Sequence, residues 1–193
     1  MITVDPKGIL NQFKGTLAQH FKVKILGIRG YELKGKRENT LGVYDDLICA
    51  CIGDSVEPFA ASTDPGWWYV NHPLNPLGCA KLQAGLWWYK VGMHRGHPSF
   101  VQAGAMTVDR IDPDGRKATQ QTGEFGINLH SGGAEDEVGR WSAGCQVIRA
   151  PEGAWGHTWQ RFFPPLQEAM KKFGQVQIPY LLVESLKADP VSV

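Results

Sequence analysis

Phe125-Gly126-Ile127-Asn128-Leu129-His130-Ser131-Gly132-Gly133, then a polar loop, then Trp141-Ser142-Ala143-Gly144-Cys145-Gln146-Val147-Ile148, is the stretch on which the reading of this chain turns. The apolar run Phe125 to Leu129 predicts a strand that delivers an imidazole into a glycine-rich turn, and a second turn of small residues delivers a thiol to the start of another strand. Both reactive groups then sit at strand edges. A free cysteine is only about a few per cent thiolate at neutral pH, so a nucleophile needs a neighbouring imidazole or other positive potential. His130 is the candidate base for Cys145. Its other ring nitrogen needs an acceptor to set the tautomer, and Ser131 offers a backbone carbonyl or a hydroxyl. Gly144 allows close approach of the backbone to a substrate carbonyl, so the amides of Gly144 and Cys145 are candidate oxyanion donors. Spacing alone is weak support, because buried cysteines are common and usually inert.

Working outward, the stretch upstream reads as short strands separated by Gly, Pro and Asn. Phe21, Val23 and Ile25 alternate with polar residues, Leu47 to Ile52 is continuously apolar, and Leu86 to Val91 and Ala105 to Ile111 look extended. Asp112-Pro113-Asp114-Gly115 is a turn between two such strands and lacks the other ligand positions of a calcium loop. Asp5-Pro6 opens a helix, and Ile9, Leu10, Phe13, Leu17 and Phe21 extend it over residues 6–20, weakened at Gly15. Packing on its own domain is the expected use of that apolar face, ahead of a membrane surface. Downstream, Trp159, Phe162, Phe163, Leu166, Ala169, Met170 and Phe173 fall at helical spacing and end at Lys171-Lys172-Phe173-Gly174, with Pro164 and Pro165 splitting the segment. The expectation is one mainly β (α+β) domain, residues 1–193: an N-terminal helix within 1–21, a β-rich core over 22–149, a helical segment over 150–174 and a final strand over 175–186.

Composition narrows the function. The 193 residues carry 20 Lys plus Arg against 19 Asp plus Glu, a formal charge of +1, so no long-range field draws the chain to nucleic acid or acidic lipid. No apolar run is long enough for a membrane span, and Met1 to Lys7 lacks a basic head followed by an apolar run. The chain is therefore expected to be made in the cytoplasm without a signal peptide. Four cysteines, at 49, 51, 79 and 145, are too few and scattered for a disulfide framework and read as reduced thiols. Cys49 and Cys51 share one strand face and read as core. The seven tryptophans are either large core residues or aromatic walls for a sugar or peptide. Asp45, Asp46 and Asp64 are acidic residues of interest, with Asp64 in a Thr-Asp-Pro-Gly turn that favours bonding to its own backbone.

His130-Ser131-Gly132-Gly133 together with Ser142-Ala143-Gly144-Cys145 resembles the catalytic motif of the L,D-transpeptidase (YkuD-type) family, in which His-Gly precedes Ser-His-Gly-Cys. The resemblance implies a β-sandwich and a peptidoglycan-active enzyme. It places the nucleophile at Cys145, the base at His130 and the residue orienting that base at Ser131, with Ser142 and Gly144 matching the motif's Ser and Gly. Three positions depart: Ala143 stands where the family has histidine, the His-to-Cys interval is shorter, and Val147 replaces an Arg or Asn beyond Gln146. On this reading Arg140 or Arg149 supplies a cation for a stem-peptide carboxylate, and Ser142, Gln146, Trp141 and His94 complete the substrate side. No cofactor or metal is implied. Gly27 to Tyr31, Val43 to Asp46, Ser62 to Gly66 and Gly92 to Gly96 are similar to segments of phage and prophage proteins.

The resulting expectation is a cysteine peptidase or transpeptidase acting on peptidoglycan stem peptides, a phage-type lytic enzyme that reaches the wall after release from the cell. Three alternatives stay open. One is a cross-linking or exchange transpeptidase. Another is a catalytically silent wall-binding or virion protein with the same fold. The third is a zinc site built from His94, His97 and Cys145 or His130, which no His-Glu-x-x-His or Cys-x-x-Cys signature supports. Oligomeric state is not encoded in any feature of the chain.

Overall fold

The computed structural model describes residues 4–31 and 39–184. Its strands are β1 (Val23–Arg29), β2 (Asp46–Ile52), β3 (Ser55–Ser62), β4 (Cys79–Leu82), β5 (Gly85–His94), β6 (His97–Gln102), β7 (Met106–Ile111), β8 (Lys117–Gly123), β9 (Leu129–Ser131), β10 (Gln146–Ile148) and β11 (Ile178–Glu184). Eight of them close into a barrel in the order β1-β11-β5-β6-β9-β10-β3-β2, and β4-β7-β8 form a separate three-stranded sheet. The chain is mainly β, as expected. Where the resemblance implied a sandwich, the main sheet closes on itself, because β2 pairs with β1 and leaves no free edge.

Closure depends on β11 lying parallel to β1, with Ile25 opposite Tyr180 and Leu26 opposite Leu181. Every residue of β1 is buried, although its sequence alternates. Val23 and Ile25 join the main core, while Leu26 and Ile28 are covered from outside by Ile9, Phe13 and Ala18. The N-terminal segment is therefore a cover for the barrel wall, and Cys49 and Cys51 are buried in the same layer. It is not one helix over 6–20. α1 (Pro6–Asn11), capped by the Asp5 carboxylate accepting from Lys7 and Gly8, stops before Gly15, which sits at φ +76°. A 3₁₀ turn, Leu17–His20, follows.

The helical segment differs in the other direction. After the short α2 (Trp67–Asn71), α3 (His157–Lys172) runs unbroken through Pro164 and Pro165. Each interior proline costs about 3 kcal/mol. Here the cost is offset by the apolar face of Trp159, Phe162, Phe163, Leu166 and Met170, each buried in the main core and worth roughly 1.5–3 kcal/mol. The C-cap is as expected: Gly174 has φ +65°, and the Gln175 amide donates to the Met170 carbonyl at 2.8 Å. Asp112 to Gly115 forms the β7–β8 hairpin, with the Gly115 amide donating to Asp112 at 2.8 Å. Residues 1–3 of the N-terminal segment and 185–186 of the final strand lie outside the described residues.

The acidic residues at 46 and 64 brace one end of the barrel. Arg29, only 3% exposed, donates to the Thr63 and Leu82 carbonyls at 3.1 and 2.7 Å and pairs with Asp64 at 3.0 Å and Glu184 at 3.0 Å. Asp46 accepts from the Gly30 and Thr63 amides, both at 2.5 Å, and Lys81 adds a second cation to Asp64 at 3.1 Å. Burial, reinforced by the charge of Asp64, raises the Asp46 carboxyl well above the usual carboxylate range, and Arg29 opposes the rise. Removing the central cation strands buried carboxylates. Arg29→Met is expected to cost roughly 3–5 kcal/mol of unfolding free energy, as measured by urea denaturation; a loss below about 1 kcal/mol would show that the network holds little together.

Candidate active site

β9 and β10 are parallel neighbours, pairing Leu129 with Gln146, His130 with Val147 and Ser131 with Ile148. The strand at the histidine is thus only Leu129–Ser131; Phe125 to Asn128, expected to be extended, is irregular. Leu129 and Ile148 belong to the main core. Strand alternation therefore turns His130 and the residue before Gln146, Cys145, outward on the same side. The turn before β10 is held by Ser142, whose hydroxyl accepts from the Gly144 amide at 3.1 Å and donates to the Cys145 carbonyl at 2.7 Å. Gly144 has φ +128°, and a Cβ there would lie 2.7 Å from the Ala80 carbonyl. Its close approach is to β4 rather than to a substrate. With its amide committed to Ser142, Gly144 leaves Cys145 as the backbone donor beside the sulfur.

His130 is 3% exposed. Its Nδ1 meets the Ser131 carbonyl at 2.8 Å, which makes Nδ1 the protonated nitrogen, while Nε2 has no partner among the described residues. The Ser131 hydroxyl accepts from the Trp155 amide at 2.9 Å instead of taking part at the ring. One nitrogen of His130, one of His94 and Cys145 Sγ all lie within 4.8 Å of one another. The sulfur now donates to the Gly126 carbonyl at 3.5 Å and accepts from the Asn128 amide at 3.5 Å.

His94 stacks on His130, centroids 4.6 Å apart and 20° between planes. Asn128 sets its tautomer. The Asn128 side-chain carbonyl accepts from the Gln102 amide at 3.0 Å, so its NH₂ group faces His94 Nδ1 at 2.9 Å and donates to it. Neutral His94 then carries its proton on Nε2, the nitrogen left to the cleft. The trio is also a donor set for a soft metal, but that use would require a different His94 tautomer. His97 is not part of it, being stacked on Trp155 at 4.3 Å.

The cysteine lies in a cleft of about 340 Å³, which adjoins a second of about 230 Å³ at His130; His94, Arg95, Arg140 and Trp141 line both. Of the expected substrate residues, Arg140, Trp141 and His94 are therefore at the cleft. Ser142 shapes the turn. Gln146 points into the barrel, where it accepts from the Tyr180 hydroxyl at 2.8 Å, because alternation places it on the face opposite Cys145. Arg149 binds the Ala134 and Glu135 carbonyls and Asp136, away from the cysteine. Arg95, Arg110, Asn128 and Trp155 were not singled out from the sequence. Arg95 and Trp155 are the described non-glycine residues with positive φ, 48° and 64°, and both flank His130.

Burial pushes His130 down to about 4, with the Ser131 hydrogen bond opposing and the charge of Arg95 adding to the fall. Burial raises the Cys145 thiol above its ordinary value, against the Asn128 amide and Arg95. The expected lowering of the thiol by His130 is thus absent at rest: both groups are neutral. A search against protein-family models, curated proteins and solved structures finds no match.

The direction of these shifts fixes a pH dependence. NMR of the imidazole nitrogens should show His130 as the neutral Nδ1–H tautomer throughout the range above about 4, protonating only as pH falls through that value. Alkylation of Cys145 by iodoacetamide should climb through pH 9.0 without the plateau at neutral pH that a preformed thiolate–imidazolium pair would produce.

Proposed function

We propose that this chain is a cysteine acyl-transfer enzyme of the L,D-transpeptidase type, a peptidase or transpeptidase that acts on peptidoglycan stem peptides through a thioester at Cys145, with a phage-type lytic role. The observation that carries the reading is His130 itself: a buried imidazole whose Nδ1–H is engaged by the Ser131 carbonyl and whose unpartnered Nε2 shares a 4.8 Å neighbourhood with an accessible thiol. No helix among the described residues is long and apolar enough to cross a membrane.

The steps follow from neutral partners. A peptide seated in the cleft brings its amide carbon to Cys145, and the thiol exchanges the Gly126 carbonyl for His130 Nε2. As sulfur attacks, its proton passes to Nε2, and the carbonyl oxygen takes up the negative charge. The Cys145 amide and the Nε2–H of His94 are the donors for that oxygen. Collapse expels the amine, which leaves with the proton held on His130, and a thioester remains. Water or a second amine then attacks the thioester with its proton taken by His130, and the thiol is restored. Hydrolysis makes the enzyme lytic; an amine acceptor makes it a cross-linker.

Mass spectrometry of muropeptides after incubation with purified sacculi tests this. Wild type should cleave or exchange stem peptides, Cys145→Ala should do neither, and His130→Ala should lose about 10²–10⁴ in rate. Sacculi bound but unaltered by wild type would make the chain a wall-binding or virion protein. The proximity of His94, His130 and Cys145 keeps one rival, and stoichiometric zinc with chelator-sensitive activity would replace the thiol by a metal-bound water. His94→Phe, which keeps the stack but not the donor, should lower kcat by about 10²–10³-fold, and His94→Gln should retain most of it.

A further inference from the structure

Two arginines are buried among the described residues, and their surroundings differ. Arg29 sits among Asp46, Asp64 and Glu184. Arg110, in β7 and 6% exposed, pairs with no carboxylate among the described residues. Its neighbour Asp109 is engaged by Lys117 at 2.7 Å and Gln83 at 2.7 Å, and alternation along β7 places it on the opposite face. A guanidinium partly withdrawn from water without a counter-charge carries an energetic cost that folding alone does not explain. That burial accordingly pushes its proton affinity down.

The group is nevertheless held in place. Arg110 Nε donates to Gln121 Oε1 at 2.7 Å, and its guanidinium carbon lies 4.9 Å from the Phe125 ring centroid. One edge is thus committed and the two terminal nitrogens are left for the cleft of Cys145, which Arg110 lines. Arg140 reaches the same cleft with its guanidinium 4.2 Å over Trp68, and Arg95 lines it as well. Among the described residues no aspartate or glutamate lines this cleft or its neighbour at His130. Tyr69, Phe125, Ile127 and Trp141 provide its apolar surface, which suits the body of a peptide.

We propose that Arg110 is the anchor of a carboxylate-binding subsite in the Cys145 cleft, so that the molecule acylating the cysteine carries a free carboxylate. Naming that molecule as the acyl donor rests on the function proposed above; the anion site itself does not. The planar fork of Arg110, fixed by Gln121 and Phe125, receives the two oxygens, and Arg140 on the rim adds a second charge. The ligand supplies the counter-ion that the fold omits.

Binding by the full-length Cys145→Ala protein tests this without turnover. The probes are N-acetyl-dialanine with a free C-terminal carboxylate, its C-terminal carboxamide, and inorganic phosphate, followed through the arginine Nε–H and Trp141 indole resonances. The acid should shift the Arg110 signal and bind at least tenfold tighter than the amide. Arg110→Met should lose at least tenfold of that affinity yet melt no lower than its parent, because it removes an uncompensated charge; Arg140→Met should lose less. Equal binding of acid and amide, affinity unchanged in Arg110→Met, or a Arg110→Met protein that melts several degrees lower would each overturn the assignment. Phosphate binding as tightly as the acid would replace the carboxylate subsite by a general anion site. Should sacculi stay unaltered by wild type while the acid still binds through Arg110, the acyl-transfer reading falls and the anion site stands.

Discussion

Everything at the site depends on two three-residue strands lying side by side and parallel. Parallel neighbours cannot be joined by a tight hairpin; they need a crossover of roughly a dozen residues or more, and the segment 132–145 between β9 and β10 provides it. The interval between His130 and Cys145 is therefore a geometric requirement of the ladder as much as a motif. Register does the rest: with Gln146 opposite Leu129, the thiol is level with Asn128 and next to the imidazole. A slip of one residue would send Cys145 into the barrel and Gln146 into the cleft.

The barrel makes that ladder rigid through charges it has gone to some length to pair. Arg29, Asp46, Asp64 and Lys81 tie the ends of β1, β2 and β4 to the residue after β3, and Gln146 reaches this group through the Thr63 carbonyl at 3.4 Å. The strand that follows Cys145 is thereby linked to this cross-braced group. The cleft follows the opposite rule. There Arg110 has no carboxylate partner among the described residues, and Arg95 and Trp155 hold left-handed backbone conformations that cost L-residues about 1–2 kcal/mol each. Stability is concentrated behind the site and forgone within it.

Burial explains the resting chemistry as well. The cover of His94 and Trp155 that orients His130 also withdraws it from water, so the imidazole resists protonation and the thiol resists ionisation. The same burial that lowers the imidazole therefore raises the thiol, and neither shift favours an ion pair at rest. Ala143 is partly buried against the small cluster of Tyr69, Val70, Cys79 and Ile111 and also lines the Cys145 cleft.

What could be read from the residues alone was whatever short range decides. The Asp5 cap, the Asp112–Gly115 hairpin, the Gly174 helix stop, the apolar β2 and the pairing of His130 with Cys145 as candidates all rest on interactions a few residues long or on residue chemistry. Where neighbours far along the chain compete with local preference, the reading failed: two prolines are carried inside α3 by its buried face, and the N-terminal helix stops at Asn11 to lay its residues over the barrel wall. Barrel closure requires β11 to return beside β1, the inward turn of Gln146 requires the register of β10, and the positions of His94, Asn128 and Arg110 at the cysteine require three separate strand pairings. Residue types alone name the groups with reactive chemistry; which of them meet depends on sheet register and shared burial, and neither has a local signature.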